Sequence, residues 1–452
     1  MNTTIVENLV AELILEDENG SEECLNLEGS SQKIRTKPSD SEIESLYGKF
    51  KRGKLLLQPS FQRDFVWDRK KASRLIESIL LDVPLPMVYI AEEPGGCELV
   101  IDGQQRLTSF FSFLDGQLPT GEPFRLTGLN VLTQLNKKAF KELDDELQDK
   151  IRYYTIRVIT LLSDCNPDLK FEIFGRLNTG SVPLNDMELR NCVYRGPYMD
   201  LLKELVEHKD FLQLLSLSIP DNRMKAIELV LRFASFYHAT YLKYKSPMKQ
   251  FFNRDMERYQ YITEDDAKKL RSAFKNSTKI IFSMFGDNAF NKFSPGEDNN
   301  HNGQWETGHF NASLYDVLMG VFADKDANSV YSKLDILKEG FIDLMSNNQE
   351  FKEAILLGTS SQNQVRKRFD IARHMVEEIL ADASKQPRCF NRELKQNLYN
   401  ENPTCTLCGQ HIHLLDDAAV DHIEQYWMGG KTIPENARLT HRYCNMARSR
   451  KS

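Results

Sequence analysis

Residues 439–449 read LTHRYCNMARS, and how this stretch divides its polar side chains decides what the C-terminal end of the chain is. A His, a Cys and an Asn stand together, followed by basic side chains. Upstream lies CTLC, residues 405–408, so Cys405-x-x-Cys408 and His441-x-x-Cys444 form two chelating pairs. A two-residue gap lets one backbone turn present both donors to a tetrahedral ion, and two such pairs in one short segment point to a structural zinc. Free thiols and a surface His are the bland alternative. The segment between the pairs is longer than a zinc knuckle needs. It contains VDHIEQYWMGGKTIPEN, residues 420–436. Residues 410–423 are expected to form a hairpin that turns near Asp416-Asp417 and ends at Asp421-His422. A Gly429-Gly430 loop follows, then a helix from about Asn436 to Arg448.

These residues resemble the HNH endonuclease family, whose ββα-metal fold carries Asp-His-Ile, Gly-Gly, Asn and then Cys-Asn near the helix. The resemblance covers residues 405 to about 451. It implies that His422 is the general base that activates water against a phosphodiester, and that Asp421 and Asn445 ligate a catalytic divalent cation. Asn436 is then the residue that holds the loop and orients His422. General chemistry agrees: a neutral imidazole suits proton abstraction near neutral pH, and a hard ion on oxygen donors can stabilise a leaving alkoxide. On this reading His441 and Cys444 serve the zinc, while Asn445 serves the chemistry. Two positions depart from the family pattern. His441 stands where many relatives have Cys, and Asn445 where others have His, which favours magnesium or manganese over zinc at the second ion. His411 and His413 alternate along the proposed first strand and are expected at the surface.

The rest of the chain sets the context. At 452 residues, with 41% hydrophobic and 27% charged side chains, it suits a globular protein of two or three domains rather than a disordered or fibrous one. No long uninterrupted apolar run marks a spanning helix, and the first residues lack the basic start and cleavage site of a signal peptide, so a cytoplasmic protein without a membrane partner is expected. Cys24, Cys97, Cys165, Cys192 and Cys389 are scattered and are expected in the interior as small apolar groups. The net charge of −7 argues against a protein coated in nucleic acid. Charge is nonetheless polarised: residues 1–32 have acids and no Lys or Arg, whereas Arg438, Arg442, Arg448, Arg450 and Lys451 cluster at the end without an acid. A polyanion would be met at that end, though a solvated basic tail has the same composition.

An α+β organisation follows. Residues 1–37 form an acidic arm, and 38–165 a mixed α/β domain. Helical periodicity dominates 166–385, and 395–452 form the terminal unit. ASRLIESILL places Ala72, Leu75, Ile76, Ile79 and Leu80 on one helical face. PMVYIA, CELVI and YYTIRVITLL are strand candidates, and Leu107, Phe110, Phe111 and Leu114 mark the helix after Asp102-Gly103. Asn185-x-x-Glu188 is a capping pattern. The polar stretch 286–309 is expected to be a mobile loop.

VIDGQQRLTS, residues 100–109, is a second candidate site. Gly103 permits close backbone approach, and a helix N-terminus offers unpaired N–H groups to an anion. Gln104, Gln105 and Arg106 fall in the first turn, where Arg106 can clasp phosphate; a structural Asp102–Arg106 pair explains the same residues. Phe61-Gln62-Arg63 with Trp67, PLPMVYI, DGQQRLTSFFSFLDG and FGRLNTGSVPLNDMELRN together resemble the N-terminal domain of GmrSD-type restriction endonucleases, from about residue 40 to 195. That family implies a ParB/sulfiredoxin-like fold and a nucleoside-triphosphate site (GTP or ATP) on Asp102, Gly103, Gln104, Gln105 and Arg106, with Gln62 and Arg63. Phe174, Arg176, Asn178, Thr179 and Gly180 close the same pocket or serve as helix C-cap residues. Phe61 replaces the family's usual Tyr. The resemblance implies an anti-phage, modification-dependent endonuclease of double-stranded DNA, with NTP hydrolysis at the N-terminal domain regulating cleavage and homo-oligomerisation left open. A nucleotide-dependent DNA-binding regulator without cleavage and a cytotoxic nuclease are the alternatives.

Overall fold

The computed structural model describes residues 35–57, 67–93, 95–162, 167–177, 185–217, 223–381, 390–425 and 432–449. Their arrangement is α+β, and the chain separates into two compact units near residue 195. In the first, β1 (Thr36–Glu42) and α1 (Ile43–Lys51) precede the short β2 (Leu55–Leu56) and α2 (Arg69–Leu80). Then come β3 (Val88–Glu92), β4 (Glu98–Asp102), α3 (Gln104–Asp115), α4 (Asp145–Arg152), β5 (Thr155–Leu161), α5 (Pro167–Leu177) and α6 (Asp186–Val193). The five strands form one mixed sheet in the order β1-β5-β3-β4-β2. β1 runs antiparallel to β5, and β3 runs parallel to β5 and antiparallel to β4.

Local chemistry explains the elements beside the candidate site. Asp68 caps α2 by accepting the amide of Lys71 at 2.6 Å. The face carrying Ala72, Leu75, Ile76, Ile79 and Leu80 is buried as its spacing predicts. On the same helix the Glu77 carboxylate accepts the amides of Asn130, Val131 and Leu132 at 2.8–3.2 Å, pinning a loop. Burial alone would push the Glu77 carboxyl up; the three N–H donors outweigh it and hold it below its ordinary value. Leu107, Phe110 and Phe111 of α3 join Val88, Ile90 and Val100 of the sheet in one core. The expected Asn185–Glu188 capping box is present at α6.

The second unit is mostly helical: α7 (Pro197–Val206), α8 (Lys209–Leu214), α9 (Lys225–Ala239), α10 (Met248–Tyr259), α11 (Glu264–Phe285), α12 (Ala312–Phe322), α13 (Ala327–Tyr331), α14 (Leu334–Asn347), α15 (Gln349–Leu356), α16 (Gln362–Ala381) and α17 (Arg392–Glu401). At its centre Asp316 of α12 is completely buried, and both its oxygens are taken by guanidinium groups. Arg232 of α9 reaches it at 2.5 and 2.9 Å and Arg368 of α16 at 2.8 Å. Between α11 and α12 the polar stretch expected to be a mobile loop forms a hairpin instead, with β6 (Asn291–Ser294) antiparallel to β7 (Gln304–Phe310). The apolar members Phe293 and Trp305, whose rings meet edge to face at 5.2 Å, supply the packing that its polar composition concealed.

The C-terminal module corrects the expected hairpin. Residues 410–415 form no strand beyond an isolated bridge at His411. Instead β8 (Ala418–His422) pairs with β9 (Ala437–His441), and the helix α18 (Arg442–Ser449) starts only after His441. Residues 437–441 were expected to be helical; antiparallel pairing across the intervening loop overrides local propensity there. Among the described residues no helix is long and apolar enough to cross a membrane. Cys192 is buried as expected and Cys97 is half-buried; Cys24, Cys165 and Cys389 lie outside the described residues.

Candidate functional site

The ββα arrangement of β8, β9 and α18 brings Asp421, His422 and Asn436 together. Asp421 and His422 end β8 opposite Arg438 and Ala437. The Asp421 carboxylate is mostly buried, and its Oδ2 accepts from Arg438 Nε at 2.9 Å, Arg438 Nη2 at 2.6 Å and Arg448 Nη1 at 2.6 Å. His422 Nε2 lies 2.9 Å from Thr432 Oγ1, and its ring packs on Phe390 at 4.5 Å. The His422 carbonyl accepts from Arg448 at 3.0 Å. Asn436 closes the loop after His422: its Oδ1 accepts the Glu424 amide at 2.8 Å, and its Nδ2 donates to the Glu424 carbonyl at 3.1 Å. Its own carbonyl accepts the Ile423 amide at 2.9 Å. Asn445 lies on α18 one turn before Arg448, half-buried. A cavity of about 260 Å³ is lined by Phe390 and Thr432, which touch His422, and by neighbours that include Asn391, Glu393 and Asn397.

Arg438 and Arg448 were seen in the sequence only as part of a basic end. Pairing across the strands puts Arg438 opposite Asp421, which spacing along the chain cannot reveal.

The donor sets can be tested against the ions that the sequence implies. One carboxylate and one amide oxygen, Asp421 and Asn445, fit a hard divalent cation in kind. Both arginines meet the same oxygen of Asp421, as outer partners of a metal-ligating carboxylate do. For zinc the fit is closer. His301 Nδ1 or Nε2, Cys408 Sγ, a ring nitrogen of His441 and Cys444 Sγ all lie within 4.8 Å of one another. Cys405 adjoins them, fully buried, with its Sγ accepting the His441 amide at 3.3 Å. Burial pushes the Cys405 thiol up, but the amides of His441, Cys408 and Leu407 outweigh it and hold it below the ordinary thiol range. Burial lowers the His441 imidazole, which keeps it in the neutral form that binds metal. His411 and His413 are exposed as expected. His301 had no motif spacing to mark it.

Around this cluster the module is anchored to the helical body by charge. Glu339 of α14 is shared by Arg442 and by Lys395, the latter at 2.8 Å. Burial pushes the Glu339 carboxyl up; the charges of Arg442 and Lys395 outweigh it and leave it below its ordinary value. Burial pulls Lys395 down to about 8 against the attraction of Glu339. Asp416 pairs with Lys338 at 2.8 Å and accepts from Trp305 Nε1 at 3.1 Å.

The N-terminal candidate has a different character. Gly103 caps α3 at φ +99°, and a Cβ there would lie 2.8 Å from Val88 Cγ2, so both conformation and space require glycine. Arg106 donates to Asp102 Oδ2 at 2.9 Å, to the Met87 carbonyl at 3.2 Å and to the Pro86 carbonyl. This is the Asp–Arg pair that the sequence also allowed, and it fixes the entry to β3. Gln104 and Gln105 are half-buried, and the buried Gln105 Oε1 has no hydrogen-bond partner among the described residues. Arg176 is exposed and paired with Glu172 at 3.0 Å, while Phe174 is buried. Gln62, Arg63, Asn178, Thr179 and Gly180 lie outside the described residues.

Comparison with known proteins supports both ends of the chain. The family model described as GmrSD restriction endonuclease, N-terminal domain, matches residues 43–195. That described as HNH endonuclease matches residues 405–451. Neither the curated proteins nor the solved structures contain a match to the chain. The chain thus combines a GmrSD-type N-terminal domain with a C-terminal HNH endonuclease domain, the domain content of a restriction-type nuclease.

Proposed function

We propose that the protein is an anti-phage DNA endonuclease that cuts double-stranded, modified phage DNA in the cytoplasm. Cleavage takes place at His422 and is controlled by a nucleoside triphosphate, GTP or ATP, bound and hydrolysed at the N-terminal domain. The observation that carries this reading is the ββα arrangement in which His422, the Asn436-closed loop and the arginine-held Asp421 converge beside a cavity.

In the reaction His422 takes the proton from the attacking water, and its contact with Thr432 orients the ring for that transfer. Asn436 is the positioning residue that keeps the loop after His422 in place. Asp421 and Asn445 would hold a magnesium or manganese ion, which would supply charge neutralisation at the phosphate and the leaving oxygen. Arg438 and Arg448 fix the Asp421 carboxylate and add positive charge where the DNA backbone approaches. A structural zinc at the motif pairs Cys405, Cys408, His441 and Cys444 would hold β9 to α18. At the N-terminal end, with a ParB/sulfiredoxin-like fold over residues 38–165, the triphosphate meets the start of α3 at Gly103, Gln104 and Gln105, with Gln62, Arg63, Arg176 and Asn178 closing the site. Arg106, held by Asp102, positions that turn. The helical region 166–385 links sensing to the 395–452 nuclease module, and assembly as a homo-oligomer is compatible with this scheme.

The decisive test is His422→Ala in the full chain, assayed on plasmid and phage DNA with a divalent cation. Cleavage should fall by about 100-fold or more, with folding and zinc content unchanged. A variant that still cuts at about a tenth of the wild-type rate or faster would remove His422 from the role of base.

A further inference from the structure

The hairpin β6–β7 belongs to the helical body and lies outside both family matches, yet its connecting loop sits on the C-terminal module. Asn302 donates to the His411 carbonyl at 3.2 Å and accepts the His413 amide at 2.8 Å. Gly303 lies so close to the buried Asp417 that a Cβ would come within 2.7 Å of its Oδ1. Tyr443 donates to Asp298, and its ring stacks on His301 at 5.1 Å and 23°. These contacts fix the loop on both sides of His301 and aim its imidazole at the metal-ligand cluster.

The donor distances carry the argument. A tetrahedral zinc with sulfur at about 2.3 Å and nitrogen at about 2.0–2.1 Å places each S···N pair about 3.5–3.6 Å apart. His301 Nδ1 lies 3.5 Å from Cys444 Sγ. His441 Nδ1 lies 3.4 Å from Cys408 Sγ and 3.8 Å from Cys444 Sγ. His301 therefore meets the cluster with the same spacing as the motif's own histidine. The second nitrogen of His441 faces the His411 carbonyl at 3.4 Å, as the outer nitrogen of a zinc-bound histidine commonly does.

We propose that His301, in place of the Cys405 that the motif pairs suggest, is the fourth zinc ligand beside Cys408, His441 and Cys444, so that one ion ties the β6–β7 hairpin to the nuclease module. Cys405 lies beside this tetrad as the thiol that accepts the His441 amide. The proposal rests on the zinc reading of this module but is separable from it, because the cysteines and His441 test that reading independently. A structural zinc shared between a hairpin and the nuclease strands makes metal occupancy a condition for their docking, and not only for the folding of the module itself.

The test uses the full chain and two variants. His301→Phe keeps a ring to stack on Tyr443 and removes the nitrogen donor. His301→Cys restores a donor without the ring. Zinc affinity is measured by competition with a chromophoric chelator, and cobalt is substituted to read thiolate-to-metal charge transfer. His301→Phe should weaken zinc binding by about 100-fold, and His301→Cys should recover most of it with an added thiolate charge-transfer contribution. Wild-type affinity in His301→Phe, or an unchanged cobalt spectrum in His301→Cys, overturns the proposal. Loss of zinc in Cys408→Ser alongside either result would leave the structural-zinc reading standing while removing His301. A wild-type chain that binds no zinc overturns both.

Discussion

Twice among the described residues one aspartate sits between two arginines, and the two clusters have opposite surroundings. Asp316, Arg232 and Arg368 leave 0%, 8% and 0% of their side chains exposed. Asp421, Arg438 and Arg448 leave 11%, 20% and 28%. In the helical body both carboxylate oxygens are used and the arginines come from helices far apart in sequence, so the cluster fastens α9, α12 and α16 to each other. In the nuclease module both arginines meet one oxygen, and the next residue is His422 beside a cavity. The same three side-chain types are therefore sealed in the helical body and partly open to solvent beside a cavity in the C-terminal module. Composition does not separate the two cases; burial and neighbours do.

The comparison can be broken most sharply at Asp316. Asp316→Asn strands two guanidinium groups in the core, and denaturant unfolding should show a loss of about 3–5 kcal/mol. A loss below about 1 kcal/mol would mean that the buried cluster contributes little cohesion. Next in size, Arg106→Ala should cost about 2 kcal/mol in the N-terminal unit, because it removes a charged hydrogen-bond donor from Asp102 and two carbonyls. If triphosphate binding disappears without any change in unfolding, Arg106 touches the nucleotide directly and the structural pair is secondary. Asp421→Asn should lower stability by no more than about 1 kcal/mol while cleavage falls by about 100-fold. Equal losses in both measurements would place Asp421 with Asp316 as a structural group.

The smallest effect expected is a pH slope. Glu339 and Asp416 both have carboxyls held below their ordinary values, Glu339 by Arg442 and Lys395 and Asp416 by Lys338 and Trp305, in each case against the opposing push of burial. A depressed folded value means stability that is present above the unfolded carboxyl range and lost as pH falls through the folded one. Hydrogen exchange of α14 and α18, followed from neutral pH to about pH 3, should show protection falling in acid, with a shallower slope in Glu339→Gln. Identical slopes in the two proteins would exclude Glu339 from that transition.

The legible parts of the fold were those governed by local period. Ala72 to Leu80 form a buried face, and PMVYIA and CELVI are strands, because alternation and helical spacing register burial directly. Partner choice was not legible. β8 pairs with β9 across a loop, and residues 437–441 resemble a helix start until the opposing strand is in place. In the candidate site, His422, Asp421 and Asn436 were marked by motif spacing, whereas Arg438 and Arg448 were visible only as charge. His301 could not be found at all, because a lone histidine in a polar stretch acquires meaning only when the chain closes a gap of 143 residues to Cys444.

Glu339 of α14, shared by Arg442 of the C-terminal module and Lys395 of α17, has a consequence for portability. A cassette cut at the family boundary, residues 405–451, and grafted onto another host would carry Arg442 away from the carboxylate that it pairs with. It would also leave Asp416 without Trp305 and Lys338. The transplantable piece is therefore larger than the motif: it includes the hairpin 291–310 and the helix 334–347, and a chimaera that omits them should require compensating acids on the new host's surface.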